Sequence, residues 1–113
     1  MEIKSLIDLE GGLVDRRIFA DREIYELERE RVFARCWLYL GHECEIPRPG
    51  DFVTRYMGEE PVILCRDLHG GLRAHLNLCR HRGNRVCRAD RGNTKLFTCS
   101  YHGWSYTSDG KLA

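Results

Sequence analysis

The segment CRHRGNRVCRADRGNTKLFTCSYHGW, residues 79–104, decides how the rest of this 113-residue chain is interpreted. It places Cys79 two residues before His81 and Cys99 three residues before His102, with 17 residues between the two pairs. Thiolates and imidazoles are ligands both of zinc and of iron–sulfur clusters. The segment therefore predicts a metal centre held by two loops, each of which contributes one cysteine and one histidine.

The spacing of these ligands distinguishes between the two kinds of centre. A common zinc finger has both cysteines in one knuckle and both histidines about four residues apart on a helix. Here Gly83, Gly92 and Gly103 disfavour a helix around either histidine. One cysteine and one histidine per loop allow both thiolates to bind one iron and both imidazoles the other, which is the ligand arrangement of a Rieske [2Fe-2S] cluster.

The rest of the chain predicts a mostly β protein with an N-terminal helix. Residues 21–36 lack Gly and Pro and are rich in Glu and Arg, which predicts a helix. Asp21 is its expected cap, and Arg22 with Glu26 has the spacing of an ion pair. From Trp37 onwards, short β-prone runs alternate with turn residues, which predicts an antiparallel β domain. The expected strands are WLYLGH, DFVTRYM, VILCR, LRAHLNL and TKLFTC, followed by a hairpin with its turn at Ser108–Asp109–Gly110.

The expected strand before Cys79 shows a strict alternation of apolar residues over residues 72–78. We expect this apolar face to be buried, and His75 to lie on the polar face of the same strand. The apolar positions are Leu72, Ala74, Leu76 and Leu78. The sequence ends at Ala113 inside another expected strand, so we expect the β domain to be truncated at its C-terminus.

The motifs taken together resemble a known family. CRHRG and CSYHGW, followed by Tyr106 and Gly110, are similar to the Rieske motif of the α subunits of bacterial aromatic ring-hydroxylating dioxygenases, close to the naphthalene and biphenyl group. DREIYELERERVFARCWLYLGHECEIPRPGDF, MGEEPVIL and HLNLCRHRG resemble the N-terminal portion of that family. The resemblance implies an N-terminal segment with a helix over residues 1–36 and an incomplete Rieske domain over residues 37–113, with the catalytic domain absent.

The resemblance also implies a cofactor and a role. Cys79 and Cys99 would bind one iron of a Rieske-type [2Fe-2S] cluster, and His81 and His102 would bind the other. The cluster would pass electrons from a ferredoxin or reductase to a mononuclear Fe(II) in the missing catalytic domain, for cis-dihydroxylation of an aromatic ring. Other α subunits in a trimer-based assembly, together with small β subunits, are the expected partners. The fragment alone is expected to carry electrons and to hydroxylate nothing.

Three aromatic residues beside the ligands are expected to cover or tune the cluster. Respiratory Rieske proteins resemble C-x-C-H-G-S-x-Y in the second loop, and their two loops are joined by a disulfide. Here Trp104 stands in place of the serine, and Asn84 and Tyr101 stand in place of the disulfide, while Tyr106 keeps its hydroxyl. Hydrogen bonds to sulfur raise the reduction potential of such a cluster. Because the serine donor is lost here, we predict a reduction potential near the low end of about −150 to +300 mV.

Positive charge is concentrated around the ligands. Residues 79–102 carry six Lys and Arg residues against one acid, whereas the whole chain has a net charge of only +1. We expect Arg80, Arg82 and Arg85 to dock an acidic electron-transfer protein. A zinc-binding module whose basic loop contacts nucleic acid is a remote alternative, and a stand-alone Rieske ferredoxin is another.

The remaining cysteines lack the spacing of the ligand pairs, and we expect structural or surface roles for them; the remaining histidines are expected to be ordinary. These residues are Cys36, Cys44, Cys65, Cys87, His42, His69 and His75. No apolar run approaches the roughly 20 residues that a membrane-spanning helix needs, and the first twelve residues do not resemble a secretory signal. We therefore expect a cytoplasmic protein without nucleic-acid or membrane contacts.

Overall fold

A computed structural model describes residues 2–113. The chain forms two compact units, of which the first ends at Leu38 and the second spans Tyr39–Ala113. The expected division into an N-terminal segment over residues 1–36 and a Rieske domain over residues 37–113 stays a prediction. Among the described residues, no helix is long and apolar enough to cross a membrane.

The N-terminal unit contains the predicted helix. Asp21 caps it by accepting a hydrogen bond from the Glu23 backbone N–H at 2.8 Å, and Arg22 pairs with Glu26 at 3.1 Å, both as predicted. The helix ends at Phe33 instead of residue 36, and its last turn is a wider π turn. The elements are a 3-10 turn at Ile3–Leu6, β1 (Ile7–Asp8), β2 (Leu13–Val14), α1 (Arg17–Ala20), α2 (Arg22–Glu28) and the π turn at Arg29–Phe33.

The expected strand WLYLGH is absent, so this prediction was wrong. Residues 37–42 form no regular structure, and the side chains of Trp37 and Tyr39 are exposed. The segment is β-prone, but β propensity acts through packing against neighbouring strands, and none pairs with it among residues 2–113. A 3-10 turn at Glu43–Glu45 follows, in which the His42 ring accepts a hydrogen bond from the Cys44 backbone N–H at 3.2 Å.

The second unit is built from antiparallel strands, as predicted. Four of them form one sheet in the order β5-β4-β3-β6, and two more form a separate hairpin. Strand β6 lies within residues 79–102, the basic segment, and was not predicted. The strands are β3 (Asp51–Met57), β4 (Glu60–Arg66), β5 (Leu72–Leu76), β6 (Arg91–Asn93), β7 (Leu96–Thr98) and β8 (Ser105–Thr107).

Strand β5 turns its two faces the opposite way from our expectation. Leu72 and Leu76 are 51% and 59% exposed, and Ala74 is exposed too, so the prediction of a buried apolar face was wrong. Alternation places Leu72, Ala74 and Leu76 on one face of the strand, but it does not indicate which face packs on the core. His75, which we expected on a polar face, is half-buried and pairs with Ile63, a core residue of β4.

The core of the second unit extends to the predicted ligands. One buried cluster contains residues of the sheet, the first ligand loop and the β7–β8 hairpin. Within it, the rings of Phe52 and Phe97 meet edge to face at 5.3 Å. Both loops therefore rest on a packed apolar base. The members are Phe52, Ile63, Cys65, Cys79, Val86, Phe97 and Cys99.

The turn after β8 forms where the sequence predicts it. The Gly110 N–H donates to the Thr107 carbonyl at 2.9 Å, and the Thr107 N–H donates to the Lys111 carbonyl at 2.8 Å. Gly110 has a φ of +91°, a conformation that side chains other than glycine's rarely permit. A Cβ here would also lie 2.7 Å from the His75 ring.

Candidate metal centre

The two ligand loops have the same backbone hydrogen-bond pattern. The carbonyl of Cys79 accepts from the N–H of Gly83 at 2.8 Å, and the N–H of Cys79 donates to the Asn84 carbonyl at 2.6 Å. In the second loop, the Cys99 carbonyl accepts from Gly103 at 2.9 Å, and the Cys99 N–H donates to the Trp104 carbonyl at 2.8 Å. Both glycines have positive φ, at +74° and +78°. Each cysteine thus begins a tight loop closed by glycine.

The predicted ligands come together in two layers. Cys79 and Cys99 are buried, at 4% and 2% exposure, in the same core cluster, and the Cys99 thiol contributes to the lowered pKa of Cys79. His81 and His102 lie at the exposed tips of the loops, with their Nδ1 atoms 3.1 Å apart. The sulfur donors therefore face the core, and the nitrogen donors face the outside.

Tyr106 on β8 is hydrogen-bonded to the inner layer. Its hydroxyl lies 3.4 Å from the Cys79 Sγ and accepts a hydrogen bond from the Arg80 backbone N–H at 2.9 Å. The hydrogen bond from Tyr106 lowers the pKa of the Cys79 thiol, and the same bond raises the pKa of the Tyr106 phenol. Stabilisation of the thiolate favours metal binding, because the thiolate is the form that binds metals.

Trp104 and Tyr101 flank the outer layer. The Trp104 ring stacks on His81 with centroids 4.6 Å apart and planes 15° apart. The Tyr101 ring lies 3.8 Å from that of His102, tilted by 44°. Each histidine is therefore in contact with one aromatic ring, so both aromatic residues restrict the orientation of an imidazole.

The three arginines expected to dock a partner do not form one group. Arg80 and Arg82 are exposed, and neither side chain has a hydrogen bond or ion pair with the part of the chain that the structure describes. Arg85 donates a hydrogen bond to the Tyr56 hydroxyl at 2.6 Å and lies over the Tyr56 ring at 5.5 Å. Docking by these residues stays a prediction, and Arg85 has a structural contact besides.

The remaining cysteines lie in different environments. Cys65 is fully buried, and burial raises the pKa of its thiol to about 11. Cys36 and Cys44 are exposed. Cys87 is half-buried, and its Sγ lies 3.7 Å from the Ala89 carbonyl oxygen.

Sequence reasoning missed Asn77. Its side chain is only 1% exposed and bonds both backbone groups of Cys87. Asn77 occupies a polar position of the alternating segment, as Arg73 and His75 do, so the sequence contains no signal that distinguishes it. Two of the histidines expected to have structural or surface roles make ring hydrogen bonds: His42 Nδ1 with the Cys44 N–H, and His75 Nε2 with the Ser108 carbonyl at 2.9 Å.

The donor set fits an iron–sulfur cluster with two ligands on each iron. Within residues 2–113, no group of three or more His, Cys, Asp or Glu side chains is arranged to hold a single metal ion. The donors that the structure brings together are instead two thiols within one buried cluster and two imidazoles in contact.

Comparison with known families identifies this arrangement. Residues 36–113 match the Rieske [2Fe-2S] domain. The chain belongs to the Rieske [2Fe-2S] domain family. This confirms the sequence-based expectation of a mostly antiparallel β fold that carries the Rieske motif.

Relatives of this Rieske domain occur in dioxygenase α subunits. The chain is 57% identical over 110 residues to the biphenyl dioxygenase α subunit of Metapseudomonas furukawaii, which covers 97% of this chain and 24% of the relative. It is 56% identical over 111 residues to the benzene 1,2-dioxygenase α subunit of a Pseudomonas putida strain, covering 98% of this chain and 25% of the relative. The chain thus spans about a quarter of the length of these relatives.

A solved structure supports the same relationship. Naphthalene 1,2-dioxygenase from Rhodococcus sp., in its crystal structure bound to indole, superposes with a TM-score of 0.84 at 52% identity. The match covers 88% of this chain and 23% of that chain. The resemblance to dioxygenase α subunits that the motifs indicated is confirmed, and the sequence corresponds to the Rieske portion of such proteins.

Proposed function

We propose that this chain is the electron-transfer portion of the α subunit of an aromatic ring-hydroxylating dioxygenase. The observation that carries the proposal is the meeting of two Cys–His loops in a chain more than half identical to such α subunits. Cys79 and Cys99 bind one iron of the Rieske-type cluster, and His81 and His102 bind the other. When bound, the cluster accepts and releases one electron at a time.

The protein residues hold, tune and expose this centre. The apolar base keeps water away from the two thiolates, which strengthens the hydrogen bond from Tyr106 to Cys79. Trp104 covers one side of His81, while both imidazoles stay at the surface. The exposed histidine tip is accordingly the face through which an electron enters or leaves.

The electron path connects partners that lie outside this chain. A ferredoxin or reductase with an acidic surface docks near Arg80 and Arg82 and supplies the electron. The destination would be a mononuclear Fe(II) in a catalytic domain that this sequence does not include. Two electrons, delivered one at a time, would be consumed there with dioxygen and two protons to add two cis hydroxyl groups to an aromatic ring. Other α subunits in a trimer-based assembly and small β subunits complete the enzyme. We also propose a cytoplasmic location. All six cysteines are free thiols in the structure, which suits a reducing compartment.

Removal of single thiols tests the ligand assignment. Cys79→Ser and Cys99→Ser are expected to abolish cluster assembly in the intact protein, because a serine hydroxyl is not a thiolate donor. Cys87→Ser is the matched control, since Cys87 lies in the same basic segment and is expected to be no ligand. Visible absorption, iron content and the electron paramagnetic resonance of the dithionite-reduced protein are the measurements. A full visible spectrum in Cys79→Ser would contradict the assignment.

The same preparations separate the alternatives. A zinc module would be colourless and contain stoichiometric zinc in place of iron. A stand-alone ferredoxin would carry the cluster and exchange electrons, yet the intact protein would form no cis-dihydrodiol from any aromatic substrate when supplied with electrons and dioxygen. The dioxygenase proposal requires both the cluster and the diol, and it requires the loss of diol formation in Cys79→Ser.

A further inference from the structure

The two ligand loops differ in what holds their outer ends together. Below the second loop, Thr98 of β7 pairs directly with Ser105 of β8, so a strand pair closes it. The first loop has no such strand pair, because residues 85–88 form no strand in the described part of the chain. Beyond the bond between the Cys79 N–H and the Asn84 carbonyl, its outer ends need another contact.

Asn77 supplies that contact. Its side-chain Nδ2 donates to the Cys87 carbonyl at 2.7 Å, and its Oδ1 accepts from the Cys87 N–H at 2.8 Å. Its own backbone N–H donates to the Pro61 carbonyl at 2.8 Å, which fixes it to β4. The amide thus bonds both peptide groups of Cys87, as a neighbouring strand would.

We infer that Asn77 is a positioning residue for the metal centre, whose side-chain amide replaces the missing strand pair and holds the first ligand loop in shape. The loop between Asn77 and Cys87 contains two of the proposed ligands, Cys79 and His81. The inference rests on the proposed function, because it concerns the loop that holds the cluster.

Burial makes these two hydrogen bonds difficult to replace. Asn77 is 1% exposed, so water does not take over its bonds when they are lost. Asn77→Leu removes both bonds at similar volume. Asn77→Asp keeps the acceptor for the Cys87 N–H but removes the donor to the Cys87 carbonyl. The two variants therefore disrupt the same contact in different ways.

Hydrogen exchange in the intact, cluster-loaded protein tests the inference. The amides of Cys79 and Gly83 report on the first loop, and the equivalent amides of Cys99 and Gly103 report on the second. Each lost hydrogen bond costs about 1 kcal/mol, and about 1.4 kcal/mol changes the opening equilibrium of the loop tenfold. With both bonds lost, we expect roughly 30-fold faster first-loop exchange in Asn77→Leu. On the same basis Asn77→Asp should give at least about 5-fold faster exchange. The second loop should not change.

Cluster release into an iron chelator provides a second readout. Release should be faster in both Asn77 variants, in the same order as exchange. Ser108→Ala is the control for general loss of stability, because it removes another buried polar contact, the hydrogen bond from the Leu68 N–H to Ser108 Oγ at 3.2 Å. Release from Ser108→Ala should match that of the unaltered protein.

The possible outcomes separate the two proposals. Equal acceleration in both loops, no acceleration in either, or complete unfolding of both Asn77 variants would overturn the positioning role. Unaltered protein that takes up no [2Fe-2S] cluster would instead defeat the proposed function. Unaltered protein with a normal cluster and unchanged Asn77 variants would defeat only the inference about Asn77.

Discussion

At the scale of single residues, Tyr106 shows how one hydroxyl connects the strand scaffold to the redox centre. It lies on β8, yet it bonds both the sulfur of Cys79 and the peptide N–H of Arg80, which belong to the first ligand loop. Hydrogen bonds to a thiolate ligand favour the reduced cluster, because reduction adds negative charge. The hydroxyl should therefore raise the reduction potential.

Tyr106→Phe is expected to lower that potential. One hydrogen bond contributes about 1 kcal/mol, which for a one-electron couple corresponds to roughly 40 mV. Protein-film voltammetry on the cluster-loaded protein measures the shift. Tyr101→Phe is the control, since the Tyr101 hydroxyl makes no hydrogen bond within residues 2–113. Equal potentials in the two variants would show that the Tyr106 hydroxyl does not act on the sulfur.

The sequence predicted these residues unequally. The four proposed ligands and Tyr106 belong to a motif with fixed spacing, and the structure brings them together. Asn77 could not be recognised as a contact of Cys87, because the bond joins residues ten positions apart through a loop without regular structure. Side-chain contacts that depend on the path of an irregular loop have no local pattern.

At the scale of elements, the strands were predicted well and their burial less well. DFVTRYM matches β3, and VILCR lies within β4. WLYLGH failed because a strand needs a partner. The orientation of β5 was wrong because alternation separates two faces without indicating which of them packs on the core. Local pattern therefore predicted which residues are extended, while tertiary context decided which of them pair and which face is covered.

The turn between β4 and β5 depends on one carboxylate. Asp67 is buried and accepts hydrogen bonds from the His69 N–H at 2.8 Å, the Gly71 N–H at 2.9 Å and the Arg73 Nε at 2.9 Å. The bond from Arg73, followed by that from Gly71, lowers the pKa of Asp67 to about 2. The ionised carboxylate thus stabilises the turn that orients β5 towards the first ligand loop.

Asp67→Asn is expected to destabilise the protein in a pH-dependent way. A lowered pKa contributes stability above the unfolded pKa of about 3.9, and this stability is lost as pH falls through the folded value. The difference in urea midpoint between the unaltered protein and Asp67→Asn should be largest near pH 7 and should shrink below about pH 4. Glu60→Gln on β4 is the control, because Glu60 makes no side-chain bond within residues 2–113. A pH-independent difference would contradict this role for Asp67.

At the scale of the whole molecule, the two units differ in the information that their sequences carry. The helix of the first unit was predicted from local propensity, cap and ion pair, and these features are present. The second unit follows the metal motif, because the loops, the glycines and the aromatic covers all surround the ligand pairs. Charge is localised in the same region, since the net charge of +1 for the whole chain conceals a strongly basic segment at residues 79–102.

The localised charge predicts a salt-dependent reaction with the electron donor. Steering by exposed charges raises association rates at low ionic strength and is screened by salt. The double variant Arg80→Gln/Arg82→Gln should therefore be reduced about 3- to 10-fold more slowly by an acidic ferredoxin at low salt, with little difference at high salt. Stopped-flow absorbance of the cluster at several salt concentrations measures this rate.

A charge-matched control separates local steering from net charge. Lys4→Gln/Arg16→Gln removes the same number of positive charges from exposed positions in the N-terminal unit. Its reduction rate should stay near that of the unaltered protein, because these charges lie outside the basic segment around the ligands. Arg85→Gln should slow reduction less than the loss of Arg80 or Arg82, since Arg85 already bonds Tyr56. Equal slowing by the two double variants would show that the basic segment does not guide the donor to the histidine tip.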